Sequence, residues 1–201
     1  MGFAGNIAPQ VVIPTCVAKA FGSGPSSQGP HHGGKCQEES YLEDLDFHIG
    51  NDALYQYQLS NRYNLVHPVK KGVVVDWDAM EQFWNSSIFS FLRCEPEEHY
   101  FMLAESPLSS LKNRELTSEI MFETFGVPGL NIANQSVLAL SASWASSKVR
   151  RKDRSLTGVV VDAGLEWTRA VPVCEGRPVP GAARHLPLGG RDVDAALRRA
   201  L

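Results

Sequence analysis

Leu156-Thr157-Gly158-Val159-Val160-Val161-Asp162-Ala163-Gly164 is an apolar, mostly β-branched run that ends on a carboxylate and a glycine. Such a run suits a strand covered on both faces. In α/β proteins the ligand crevice lies beyond the carboxyl ends of the strands, so Asp162 and Gly164 stand where a phosphate is met. The residues that follow, Leu165, Glu166 and Trp167, are large where a phosphate-cradling turn needs small residues and free backbone N–H groups. The expectation is the frame of a nucleotide site with its phosphate contacts spoiled.

Downstream, Thr168 to Cys174 pairs naturally with this strand across Leu165-Glu166-Trp167, and a helix of Ala, Leu and Arg runs from Gly189-Gly190-Arg191-Asp192 to Leu201. Upstream, Lys148 to Arg154 is a basic connector, and a helix is expected from about Ala133 to Ser146. Before it, Asn113 is expected to cap a helix over Arg114 to Phe125, closed by the breaker Gly126-Val127-Pro128-Gly129. Glu98 to Glu105 reads as a buried strand ended by Pro107. Asp76 can cap an amphipathic helix on which Trp77, Met80, Trp84, Ile88 and Phe91 recur at helical spacing, an aromatic stripe best read as core. Lys70-Lys71-Gly72 turns the chain into Val73-Val74-Val75, and Asp44 to Gly50 alternates as a half-buried strand of a small lobe ending near Tyr63. Gln10 to Ala18 reads as a strand broken by Pro14, and Gly22 to Gly34 as a surface loop. The order of elements is that of an α/β protein.

The chain has 201 residues, 43% hydrophobic and 20% charged, with a formal charge of -3, so one large domain or two small lobes is expected. That balance gives no electrostatic case for nucleic acid or an anionic membrane. Cys16, Cys36, Cys94 and Cys174 form no CxxC pair, the N-terminus has no signal-peptide pattern, and no apolar stretch reaches the roughly 20 residues of a membrane-spanning helix. A cytoplasmic protein with reduced thiols is expected. His31, His32 and Cys36 are too few for a structural zinc spacing, and the basic residues Lys148, Arg150, Arg151, Lys152 and Arg154 lack the interleaved aromatics of a nucleic-acid groove. A solvated loop and a solvated connector are the expected readings.

Five segments in register carry a resemblance: Gly2-Phe3-Ala4-Gly5-Asn6, Glu97-Glu98-His99, Asn113-Arg114-Glu115, Ile120 to Phe125, and Gly190-Arg191-Asp192. Together they resemble the actin family. Asp44-Leu45-Asp46-Phe47, the helix end Ala142-Ser143-Trp144 and the basic insertion after it point within the family to an actin-related protein. The resemblance implies two α/β domains on ribonuclease-H-like cores, with ATP and magnesium clamped between them. It covers residues 1–155 as a first domain, with a small inserted lobe at about 20–65, and 156–201 as the start of a second, truncated one. It also implies a cytoskeletal subunit that helps start branched actin filaments by offering a filament-like end, with a sister actin-related protein, scaffold subunits and actin as partners.

The same resemblance assigns roles. Gln135 matches the glutamine that orients the attacking water, Asp162 the carboxylate that holds water around the metal, and Gly164 and Gly190 glycines of the nucleotide site. The family's first phosphate loop, D-x-G-[ST]-G, has no counterpart here, the chain beginning after it. At its second, D-[ST]-G-D-G, Leu165 and Glu166 replace the acidic residue and the glycine, and Glu166 would face phosphates with a like charge. Taken without the resemblance, Asp162 is a carboxylate at a strand end and Gln135 a helix-surface glutamine. An assembly protein without ATPase activity is the leading reading. A nucleotide-free divergent form, acting as a decoy or without function, and an actin-like ATPase are the alternatives.

Overall fold

A computed structural model of the chain describes residues 1–21, 47–107, 109–146 and 155–201. They form two compact units, Met1–Lys70 with Val74–Glu95, and Lys71–Val73 with Pro96–Leu201. The expected loop at Gly22 to Gly34, with His31, His32 and the nearby Cys36, and the basic run after Ser147 lie outside the described residues.

The first unit is built on an antiparallel sheet of β1 (Val17–Ala20), β2 (Phe47–Ile49) and, after the helix α1 (Gly50–Leu59), β3 (Tyr63–Val66). β1 is central, with Val17 opposite Ile49 on one side and Val66 on the other. The strand expected over Asp44 to Gly50 is present as β2 where it is described, and α1 follows it unannounced, burying only Gly50 and Ala53 while Tyr55, Tyr57 and Leu59 stay exposed. A helix with so little apolar stripe carries no helical period, and its tyrosines imitate strand composition. One expectation is corrected: Val11-Val12-Ile13 is no strand, since Val11 N–H is bonded to the Met1 carbonyl and pairing begins only at Val17.

β4 (Val69–Lys70) and β5 (Val73–Val74) form a hairpin turning at Lys71 and Gly72, both at positive φ. Asp76 then caps α2 (Trp77–Ser86), its carboxylate accepting the Ala79 N–H at 2.9 Å. A π-helical turn, Ser87–Leu92, continues it and keeps Ile88 buried. Val17, Ile49, Ala79, Met80 and Phe83 make the core, with Trp84 and Phe91 packed against it, so the aromatic stripe is structural. Cys16 is buried nearby and donates Sγ–H to the Gly50 carbonyl; burial pushes its pKa up and keeps it a thiol.

The second unit contains a β-α-β crossover. β6 (Phe101–Glu105) and β7 (Leu130–Asn134) run parallel, with Leu103 opposite Ile132 and Glu105 opposite Asn134. Between them lie α3 (Leu111–Glu119) and the π-helical turn Ile120–Thr124, which bury Met121 to 1% exposure and deliver Phe125 to the interior. Ser110, not Asn113, caps α3 by accepting the Asn113 N–H. The strand β7 was not expected; α4 (Gln135–Ser146) starts two residues later than the sequence indicates, because Leu130-Asn131-Ile132 alternates as a strand.

β8 (Gly158–Ala163) and β9 (Thr168–Cys174) pair antiparallel as expected, with Val160 opposite Val171 and Asp162 opposite Arg169. β10 (Arg177–Pro178) and β11 (Arg184–Leu186) pair with the other side of β9, and α5 (Gly190–Ala200) closes the chain. Burial of β8 on both faces is corrected: Val159 and Val161 are 64% and 67% exposed, while Val171 and Val173 lie buried on the face shared with Val160. A run of valines is apolar on both faces whichever one is covered, so composition overstates its burial. Residues on either side of position 155 belong to the same compact unit.

Replacing Asp76 with Ala removes the α2 cap and is expected to cost about 1 kcal/mol. The fall of the urea midpoint, with unchanged slope, measures it.

Candidate functional site

The β8–β9 turn and the start of α5 are built as one piece. Gly164 N–H donates to the Trp167 carbonyl at 2.9 Å and closes the turn. The Gly164 carbonyl accepts the Gly190 N–H at 3.0 Å, and the Leu165 carbonyl accepts the Arg191 N–H at 2.9 Å. Gly189 N–H donates to the Asp192 carboxylate at 2.9 Å, while Asp192 N–H returns to the Gly189 carbonyl. The amides that a helix start leaves without intrahelical partners are therefore satisfied from within the chain. An anion approaching this helix N-terminus finds its donors taken.

Close approach fixes one glycine of the pair. A Cβ on Gly189 would lie 2.4 Å from the Leu165 carbonyl oxygen and 2.7 Å from the Glu166 nitrogen. One on Gly190 would meet nothing nearer than 3.8 Å. Gly190, the expected site residue, does touch Gly164, but Gly189 is the position that admits no side chain.

Both carboxylate oxygens of Glu166 are engaged within the chain. Its Oε2 accepts the Lys71 N–H at 2.6 Å and its Oε1 pairs with Arg191 Nη1 at 2.9 Å. Arg191 is mostly exposed, so that pair contributes little, about 0–1 kcal/mol. The Lys71 carbonyl accepts Arg169 Nη2 at 2.8 Å, and Lys71 Nζ sits 5.4 Å from the centre of the Trp167 ring. The Lys71 peptide is thus held at both its donor and its acceptor, and its ammonium gains a cation–π contact.

Asp162 is half-buried on the inner face of β8, and its carboxylate makes no hydrogen bond or ion pair among the described residues. Gln135 is the exposed first residue of α4, immediately past the carboxyl end of β7, while Asn134 accepts the Ser136 N–H at 3.0 Å and caps that helix. Gly164 and Gly190 are brought together; Gln135 stands on a different strand end. An unpaired carboxylate such as Asp162 suits the ordering of water around magnesium. The turn offers the phosphates of ATP no free helix amide, and Glu166 within it carries a like charge. Among the described residues no three His, Cys, Asp or Glu cluster as direct metal ligands. Sequence reasoning missed Arg169, although the alternation in Thr168-Arg169-Ala170-Val171-Pro172-Val173 puts Arg169 on the face of Val171 and Val173.

Ala at Gly189 is expected to destabilise by about 1–3 kcal/mol through overpacking, and Ala at Gly190 by less. Urea denaturation of both variants against the parent chain measures the difference.

The family model described as Actin matches residues 1–201. The chain is 49% identical over 202 residues to actin-related protein 3 of Schizosaccharomyces pombe, an alignment covering 96% of this chain and 46% of that protein. It is 47% identical over 194 residues to actin-related protein 3 of Acanthamoeba castellanii, covering 96% and 44%. It is 43% identical over 199 residues to actin-related protein 3 of Dictyostelium discoideum, covering 99% and 44%. The chain spans slightly less than half the length of these curated relatives. Mixed α/β units, a parallel crossover ending at Gln135 and the Asp162–Gly164 strand end agree with that match, and the chain belongs to the actin family.

Proposed function

We propose that this chain serves as an actin-related protein 3-like assembly subunit that does not hydrolyse ATP. It would act in the cytoplasmic cytoskeleton by offering a filament-like surface on which a branch starts, with a sister actin-related protein, scaffold subunits and actin as partners. Support for the assembly role comes from the similarity to proteins named actin-related protein 3 over nearly all of this chain. No helix among the described residues is long and apolar enough to cross a membrane.

The observation that carries the second half of the reading is the self-satisfied α5 start. The Gly190 and Arg191 amides are bonded to the Gly164 and Leu165 carbonyls, and Glu166 in the turn pairs with Arg191. Phosphoryl transfer depends almost wholly on positioning the phosphates and stabilising their charge. With those donors spent, Gln135 has no positioned phosphorus for its water, and Asp162, Gly164 and Gly190 act as remnants of a nucleotide site. In this reading residues 1–155 correspond to the first family domain, with the inserted lobe at about 20–65, and 156–201 to the opening of the second.

Affinity purification of the tagged chain from cytosol, with mass spectrometry of what accompanies it, tests the assembly role. Recovery of the sister protein and scaffold subunits is expected. Recovery of chaperones alone would instead support a nucleotide-free form outside the complex. Calorimetry with ATP and magnesium on the purified chain tests the rest: no saturable binding is expected, and tight binding would sink the reading of the turn.

A further inference from the structure

Helix α5 turns its apolar side to solvent. Val193, Ala196, Leu197 and Ala200 recur at spacings of three and four, so they share one face. All four are exposed, Val193 at 63% and Leu197 at 58%. No residue of the helix is buried, and half-buried Ala195 lies on the opposite side. A surface helix ordinarily lays such a stripe on the core, yet here the body of the unit meets the other side. Leu165, 60% exposed, extends the stripe past the first turn, since a Cβ on Gly190 would stand 3.8 Å from its Cδ1.

The charges beside the stripe define what covers it. Asp192 and Asp194 stand toward the start of α5, Arg198 and Arg199 in its last turn. Asp194 and Arg198 line one border of the stripe, Asp192 and Arg199 the other. Asp194, Arg198 and Arg199 make no ion pair among the described residues. A second copy laid antiparallel meets both borders with opposite charge: Asp194 faces Arg198 of the second copy and Asp192 faces its Arg199, each pair repeated by the two-fold axis. The same register sets Val193 against Ala200 and Leu197 against Ala196, large against small. Laid parallel, Asp194 would stand beside Asp192 and Arg198 beside Arg199, which repels. A foreign helix of one charge sign would satisfy one end of α5 and repel the other.

We propose that α5 is a self-association surface through which two copies of this chain form an antiparallel helix pair about a two-fold axis. An isologous contact uses one patch twice, so a patch that carries its own complement suffices. The 11 residues of α5 span about 16 Å. The contact therefore covers less than the roughly 1,200 Å² of small stable interfaces, and the dimer is weak, populated as the chain is concentrated. It does not rest on the assembly role.

Sedimentation equilibrium of the full chain between about 1 and 500 µM tests it. The apparent mass should climb from the 22.1 kDa of one chain toward twice that value, and less steeply at about 0.5 M salt. Leu197→Glu should weaken association about tenfold or more. Asp194→Arg and Arg198→Asp should do the same, because each sets like charges opposite one another on both sides of the axis. Mixing the Asp194→Arg chain with the Arg198→Asp chain restores opposite charges along that border, so the dimer should return as a heterodimer. Circular dichroism establishes that each variant is folded; if Leu197→Glu unfolds, the mixture decides. A parent chain that stays monomeric throughout the range overturns the proposal, as does a dimer indifferent to a folded Leu197→Glu. A mixture no more associated than its two components overturns the antiparallel pairing. A monomer whose α5 amides resist hydrogen exchange assigns the stripe to another segment of this chain, which also overturns the dimer.

Discussion

The carbonyls of Gly164 and Leu165 bonded to the first amides of α5 set the geometry on which the rest of the second unit depends. They join the β8–β9 turn to the last helix, place Gly189 so close to the Leu165 carbonyl that no side chain fits, and bring Glu166 within reach of Arg191. Glu166 then binds the Lys71 amide, and Arg169 binds the carbonyl of the same residue. This turn is a junction of backbone and side-chain bonds within one chain. Each bond is modest alone, on the order of 1 kcal/mol, but together they leave few backbone groups at the turn and helix start to offer outward.

How much of this could be read in the sequence differs by element. The hairpin of β8 and β9, the Asp76 cap and the Trp84–Phe91 packing stripe were legible because each rests on local chemistry: alternation, a capping carboxylate, a helical period. The helix at Gly50–Leu59 was not, since it buries almost no side chain and so writes no periodic pattern. β7 was missed because it is only five residues long and its last two, Ala133 and Asn134, were drawn into the expected helix, within the usual uncertainty of a helix start. For the candidate site, Asp162 and Gly164 follow from the strand end they close, and Gly190 and Gln135 from family resemblance. Gly189 and the pairing of Glu166 with Lys71 depend on contacts between residues far apart in sequence, 95 positions in the latter case, which no local pattern encodes.

Membership of the actin family and the condition of the site bear on different questions. The match extends over all 201 residues and speaks to ancestry and fold. The site speaks to what those residues can hold, and here large Leu165 and charged Glu166 follow the Asp162–Gly164 strand end. Function in a fold of this kind resides in the site, so a well-preserved frame is compatible with an altered ligand.

The tethered carboxylate of Glu166 has a thermodynamic consequence. A turn ordered by a diffusible anion is stabilised in proportion to the logarithm of that anion's concentration, so its population rises and falls with the supply. Glu166 is attached to the turn it orders, and its effective concentration at the Lys71 amide and Arg191 is set by the chain. On the proposed reading, the geometry of this turn is therefore set by the chain itself and does not follow the concentration of a diffusible ligand.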